Sequence, residues 1–157
     1  MGYGLVARFW PAAQPRARAS VLIAHGMGEH SGRYQPLAQA LNKAGYHVLA
    51  PDLRGHGRSR PEYCEPGDMG YDGWQCSLLD LLFLQKWLAR THARPVILIG
   101  HSMGAMLAQQ YLGYFGYTLA ACLLSGSTGA LLDVSTVGGE LLASLDSQRL
   151  GPHAPSP

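Results

Sequence analysis

The hydrophobic residues of this chain fall into two patterns, short unbroken runs and longer stretches with helical spacing. The short runs predict five strands, at residues 4–10, 20–24, 46–50, 96–99 and 119–124. Residues 96–99 have the sequence V-I-L-I between Pro95 and Gly100, which is typical of a strand buried on both faces in a parallel sheet. A strand of this kind needs helices on both of its faces.

Three stretches with helical spacing lie between these strands. Residues 34–41 place apolar side chains at i, i+3, i+4 and i+7, with Gly45 as the C-terminal stop. Residues 73–90 have a broad apolar side, and residues 105–112 are mostly good helix formers. Because strand and helix alternate throughout, we predict a parallel sheet joined by right-handed crossovers. Ligands of such sheets bind at the carboxyl ends of the strands, where four polar residues fall: His25, Asp52, Ser102 and Ser125.

Ser102 lies in the motif G-H-S-M-G at residues 100–104, after a predicted buried strand and before a predicted helix. A serine on such a sharp turn takes a strained backbone conformation, and Gly100 and Gly104 leave room for it. The free N–H groups at the start of the helix favour negative charge, and the Met103 amide points to where an oxyanion would form. We therefore predict that Ser102 is a nucleophile rather than an ordinary turn serine.

Composition and charge exclude several other classes of function. A chain of 157 residues, 47% hydrophobic and 14% charged, fits one globular domain. Its 12 basic and 10 acidic residues give a net charge of +2, too balanced to imply nucleic acid or an anionic membrane surface as a partner. The first twenty residues contain no unbroken apolar segment, so we expect a cytoplasmic protein. Three cysteines without C-x-x-C spacing predict neither disulfides nor a metal site.

Three motifs at strand ends together resemble the α/β-hydrolase superfamily. They are H-G-M-G-E-H-S-G-R-Y at 25–34, D-L-R-G-H-G-R-S at 52–59 and G-H-S-M-G-A at 100–105. Within the superfamily they resemble the monoacylglycerol lipase and lysophospholipase group, which has a serine aminopeptidase S33-type domain. The resemblance implies a three-layer α/β sandwich around a mostly parallel sheet, without a cofactor.

The resemblance also implies roles for single residues at this edge of the sheet. The backbone N–H of Met27 would be the second oxyanion donor, beside that of Met103. The loop that contains Asp52, Arg54 and His56 would shape a turn rather than move protons. The other motif residues would be structural at the site: His25, Gly26, Gly100, His101 and Gly104.

The later part of the hydrolase pattern has no match in this sequence. In the family the nucleophile is followed by an acid and then a histidine on loops after later strands. Here 55 residues follow Ser102, and they predict one strand. We therefore expect residues 1–129 to be the N-terminal part of the hydrolase core, truncated after the sixth-strand region, and residues 130–157 to begin an incomplete cap. A chain without its acid and base is expected to be inactive.

Several acids and histidines of the chain are possible substitutes for the missing acid and base, but each has a simpler explanation. Asp133, Asp146 and His153 are better explained as surface residues of a truncated cap. His25 and His30 are more typical of loop packing than of a general base. Glu29 is expected to be solvated or to cap a turn.

The predicted function is hydrolysis of carboxylic esters, of the monoacylglycerol or lysophospholipid type, through an acyl-enzyme on Ser102. This leaves peripheral membrane contact and the oligomeric state open. The alternative is a non-catalytic fragment or a degenerate hydrolase. A dinucleotide-binding oxidoreductase, suggested by Gly26 and Gly28 with Asp52, is less favoured because the next helix begins near Pro36, too late to meet a pyrophosphate.

Overall fold

A computed structural model describes residues 4–127 of the chain. The predicted cap at 130–157, with Asp133, Asp146 and His153, lies outside the described residues. The strands are β1 Ala7–Trp10, β2 Ala19–Ala24, β3 Tyr46–Pro51, β4 Val96–His101 and β5 Ala121–Ser125. The helices are α1 Gln35–Lys43, α2 Gly73–His92 and α3 Met103–Phe115, and short 3₁₀ turns cover Ser31–Tyr34, Gly57–Ser59 and Gly116–Thr118.

The described strands form one sheet in the order β1-β3-β2-β4-β5. Four of them are parallel, and β2 lies at the centre, where Val21 pairs with Val48 on one side and with Ile97 on the other. β5 continues the parallel pairing on β4, with Ser125 opposite His101. The carboxyl ends of β2, β4 and β5 therefore meet at one edge of the sheet.

The first strand departs from the predicted alternation of strand and helix. β1 runs antiparallel to β3, with Phe9 opposite Leu49, and no helix separates β1 from β2. Only residues 11–18 connect these two strands, whereas a parallel crossover takes about a dozen or more residues. The sheet is mostly parallel, as predicted, and the expected alternation of strand and helix fails only at β1.

Helices cover both faces of the sheet and divide the core in two. On one face α1 packs over Val21, Ile23 and Val48, which are almost fully buried. On the other face α2 and α3 enclose the larger core, which includes Leu22, Leu81, Leu88, Leu98, Leu107 and Tyr111. The structure is the predicted three-layer α/β sandwich. In the part of the chain that it describes, no helix combines the length and apolarity needed to cross a bilayer.

Candidate active site

Ser102 occupies a bend between β4 and α3 at the carboxyl edge of the sheet. Its backbone has φ +50° and ψ −118°, in the region that side-chain-bearing residues rarely adopt. The amide of Ser102 donates to the carbonyl of Ser125 at 2.9 Å, and its own carbonyl accepts from the amides of Ala105 and Met106. The bend is thus fixed by β5 on one side and by the first turn of α3 on the other.

Two glycines allow the close packing that this bend requires. A side-chain carbon at Gly100 would overlap the backbone of Gly104, and one at Gly104 would overlap the carbonyl of Ala24. Any larger residue at either position would push α3 away from the sheet. Glycine is thus needed at both positions because the backbone segments around the turn are in direct contact.

The loop after β2 packs against Ser102. A side-chain carbon built on Gly26 would lie 3.2 Å from Cβ of Ser102, so this loop packs directly against the serine. Gly28 takes a positive φ of 68°, which turns the chain just after Met27. Met103 is the first residue of α3, where amides have no partner within the helix. The predicted oxyanion donors, Met27 and Met103, therefore lie on the two segments that flank Ser102.

Glu29 holds this loop in place by capping its turn, one of the two roles expected from the sequence. Its Oε2 atom accepts from the Gly26 amide at 2.9 Å and from the Tyr34 hydroxyl at 2.7 Å. The side chain is only 15% exposed and pairs with Arg33 at 3.5 Å, so of the two expected positions the capping one is confirmed and the solvated one was wrong. Burial alone would raise the pKa of Glu29, but the hydrogen bonds from Tyr34 and Gly26 and the charge of Arg33 lower it.

His25 is completely buried and uses both ring nitrogens in the fold. Nδ1 donates to the Gly26 carbonyl at 2.8 Å, and Nε2 accepts from the Leu53 amide at 2.9 Å. Burial lowers the pKa of His25, with a smaller contribution from the nearby His56. The imidazole is therefore neutral and joins the loop after β2 to the loop after β3.

The loop after β3 is organised by two carboxylates. Asp52 is buried and accepts from the amides of Ser31 at 2.7 Å and Arg58 at 2.9 Å. Burial would raise the pKa of Asp52, but these hydrogen bonds lower it. Asp80 on α2 forms a two-bond ion pair with Arg54 at 2.7 and 3.0 Å. Both carboxylates therefore stabilise the loop through these contacts.

A proton acceptor for Ser102 is not found in the described part of the chain. Among residues 4–127, no histidine is hydrogen-bonded to the Ser102 hydroxyl. The ring of His101, the residue before Ser102, lies beside Gly126. A side-chain carbon placed on Gly126 would be 3.4 Å from Cε1 of His101. The described residues therefore supply a strained serine and backbone amides, and they supply no base.

Comparison with known proteins identifies the family. Residues 15–142 match the model of the family described as serine aminopeptidase, S33. The chain belongs to this family. Its membership agrees with the resemblance found in the three sequence motifs and confirms the predicted α/β-hydrolase fold.

Several known lipases and a solved esterase are similar to the chain. A monoglyceride lipase of Rattus norvegicus is 37% identical over 109 residues, covering 68% of this chain and 34% of that protein. A monoacylglycerol lipase of Mycolicibacterium smegmatis is 32% identical over 165 residues, covering 99% and 56%. A thermostable carboxyl esterase from Bacillus coagulans, solved with glycerol, superposes with a TM-score of 0.73 at 28% identity, covering 95% and 51%. The chain thus spans between 34% and 56% of the length of these relatives.

Proposed function

We propose that the chain supplies the nucleophile and the oxyanion site of a serine hydrolase that acts on carboxylic esters. The observation that carries the proposal is the backbone of Ser102, at φ +50° between a buried strand and the start of a helix. A fold retains such strain where it is useful, and here it presents the hydroxyl at the ligand-binding edge. The S33 family, a group of serine hydrolases, supports the same assignment.

In the proposed reaction, Oγ of Ser102 attacks the ester carbonyl and a histidine accepts its proton. The carbonyl oxygen becomes an oxyanion held by the amides of Met27 and Met103. Collapse of this intermediate breaks the ester bond, releases the alcohol with the proton from the histidine, and leaves an acyl group on Ser102. Water then releases the acid. The acid and base would come from beyond residue 127, because none of residues 4–127 fills either role.

The proposed substrates are lipid-like monoacyl esters. Relatives described as monoglyceride lipase, monoacylglycerol lipase and phospholipase support this substrate class. The glycerol bound by the Bacillus coagulans esterase agrees with an alcohol product of that size. We also propose that the protein is cytoplasmic. The free thiols at Cys64, Cys76 and Cys122 support this location, because thiols stay reduced in the cytoplasm.

The experiment compares ester hydrolysis by residues 1–157 and by the same reading frame carried to its stop codon. A short chromogenic ester is used first, followed by a monoacylglycerol, and Ser102→Ala is made in both proteins. We expect turnover by the longer protein that is lost in Ser102→Ala. We also expect residues 1–157 alone to be slower by several orders of magnitude, because a serine and its histidine act as a unit.

Two results would contradict this proposal. Turnover by the longer protein that persists in Ser102→Ala would remove the serine from the mechanism. No turnover of either ester would favour a degenerate hydrolase. Efficient Ser102-dependent turnover by residues 1–157 would leave the nucleophile in place but overturn the expectation of an external base.

A further inference from the structure

The outer side of α2 presents large apolar side chains to solvent. Leu79 is 58% exposed, Phe83 66% and Trp87 39%. They are spaced as i, i+4 and i+8, so all three lie on one side of the helix. The inner side of α2 already fills the core with Leu78, Leu81, Leu84 and Leu88. α2 is therefore apolar on two opposite sides, and packing within the described chain explains one of them.

Two cations accompany this apolar stripe. Lys86 and Arg90 are exposed on the same side of α2, and with Phe83, Trp87 and Thr91 they line a shallow surface groove. Neither forms an ion pair with another of the described residues. The only acid on α2 is Asp80, which is largely buried and paired with Arg54. The outer side of α2 is thus both apolar and positively charged.

An aromatic residue of the sheet extends this surface. Phe9 on β1 is 37% exposed and meets Trp87 edge to face, with ring centroids 6.1 Å apart. We call Phe9, Leu79, Phe83, Lys86, Trp87 and Arg90 the α2 face. Aromatic and leucine side chains beside lysine and arginine are the combination found in helices that lie at the surface of a bilayer.

We propose that the α2 face is a docking surface for an anionic lipid bilayer. Leu79, Phe83 and Trp87 enter the boundary between headgroups and acyl chains, while Lys86 and Arg90 meet lipid phosphates. Charge complementarity favours this partner, because Lys86 and Arg90 form no ion pair with any described carboxylate and Asp80 is paired with Arg54. A net charge of +2 does not reveal such a surface, since it sums charges from all sides of the molecule. The proposal is independent of the reactivity of Ser102.

The test measures flotation of residues 1–157 with vesicles on a density gradient. One set of vesicles is phosphatidylcholine, and the other is phosphatidylcholine mixed with phosphatidylglycerol. We expect the protein to float with the anionic vesicles, less so at higher salt. Phe83→Ser should weaken this binding about tenfold through lost apolar burial. Lys86→Gln with Arg90→Gln should weaken it about 25-fold, since each cation near an anionic surface contributes about fivefold.

Matched controls alter the same residue types elsewhere on the surface. Arg16→Gln with Arg18→Gln removes two exposed cations outside α2, and Tyr117→Ser removes an aromatic ring that is 88% exposed. Both controls should bind vesicles as the original protein does, and circular dichroism should show all variants folded. The proposal is overturned if the original protein does not float, or if the α2 variants bind as well as the controls. It is also overturned if Phe83→Ser dissociates an oligomer without changing flotation, because the face then binds a second copy of the chain.

Discussion

Glu29 connects the loop that carries Met27 to the rest of the molecule through the Gly26 amide and the Tyr34 hydroxyl. Glu29→Gln should lower the free energy of unfolding by about 1 kcal/mol, because hydrogen bonds to a charged acceptor are stronger than those to a neutral one. Glu29→Ala should cost about 2–3 kcal/mol by leaving a donor unpaired. Urea unfolding at neutral pH measures both differences.

The effect of Glu29→Gln should depend on pH in a defined direction. Because folding lowers the pKa of Glu29, its contribution is complete above the ordinary value of 4.5 and is lost as the pH falls below it. The stability difference between the two proteins should therefore shrink in acid. Glu62→Gln, at an exposed position, serves as the control and should change little. A difference of the same size at every pH would contradict the role of the charge.

Single residues were predictable where a motif fixes the backbone. Ser102 could be located because G-x-S-x-G after an apolar run specifies a strand-to-helix turn. For Glu29 the sequence left two alternatives, capping and solvation, because a charged residue in a polar loop is ordinarily solvated. Glu29 is buried by Tyr34, five residues away, and by the turn at Gly28. The sequence pattern does not show that these residues come together.

Helix α3 offers a direct test of the contact between the Ser102 bend and the sheet. Gly104→Ala places a methyl group against the Ala24 carbonyl, which can move only with β2, so it should destabilise the fold by about 2–3 kcal/mol. Gly113→Ala lies in the same helix with no atom within 4 Å of the new carbon. It should stabilise by about 0.5–1 kcal/mol through helix propensity alone. Thermal unfolding followed by circular dichroism compares the two, and equal effects would refute the close packing of α3.

Elements were predictable from periodicity, and their ends were not. The pattern located α2 from Gly73, although the helix continues to His92 rather than Arg90. It placed the start of α3 at Ala105, whereas the helix begins at Met103, because the strained serine directs the chain into α3 at once. The antiparallel direction of β1 depends on the short connection at residues 11–18, which the apolar run itself does not reveal.

β5 forms one edge of the described sheet, and we expect this edge to make the molecule prone to association. Leu123 is 54% exposed and Leu124 37%, on a strand that pairs with β4 alone among the described strands. Such an edge binds other strands unless a charge blocks it. We expect residues 1–157 to associate as concentration rises, and Leu123→Lys to reduce this association. Leu37→Lys, on an α1 residue that is 40% exposed, is the matched control. Light scattering after size exclusion measures the mass, and a monodisperse original protein would disprove the expectation.

Apart from the direction of β1, the fold of the described residues was predictable because three motifs and five apolar runs agree on one topology. The domain division at residue 129 stays a prediction, since the structure describes the chain only to residue 127. The roles of Met27 and Met103 also remain predictions, because an oxyanion donor is defined by a substrate. Local patterns did not reveal the α2 face, since they identify the side of a helix that packs inward more readily than a second apolar side.

The hydrogen bond from Ser102 to Ser125 joins the reactive corner to the outermost described strand. A strand with a partner on one side only is among the first to fray, so thermal opening of β5 would relax the backbone torsion at residue 102. A further strand that paired with the free edge of β5 would hold Ser125 and, through this hydrogen bond, the torsion of Ser102. The geometry of the proposed nucleophile therefore depends on how well β5 is held.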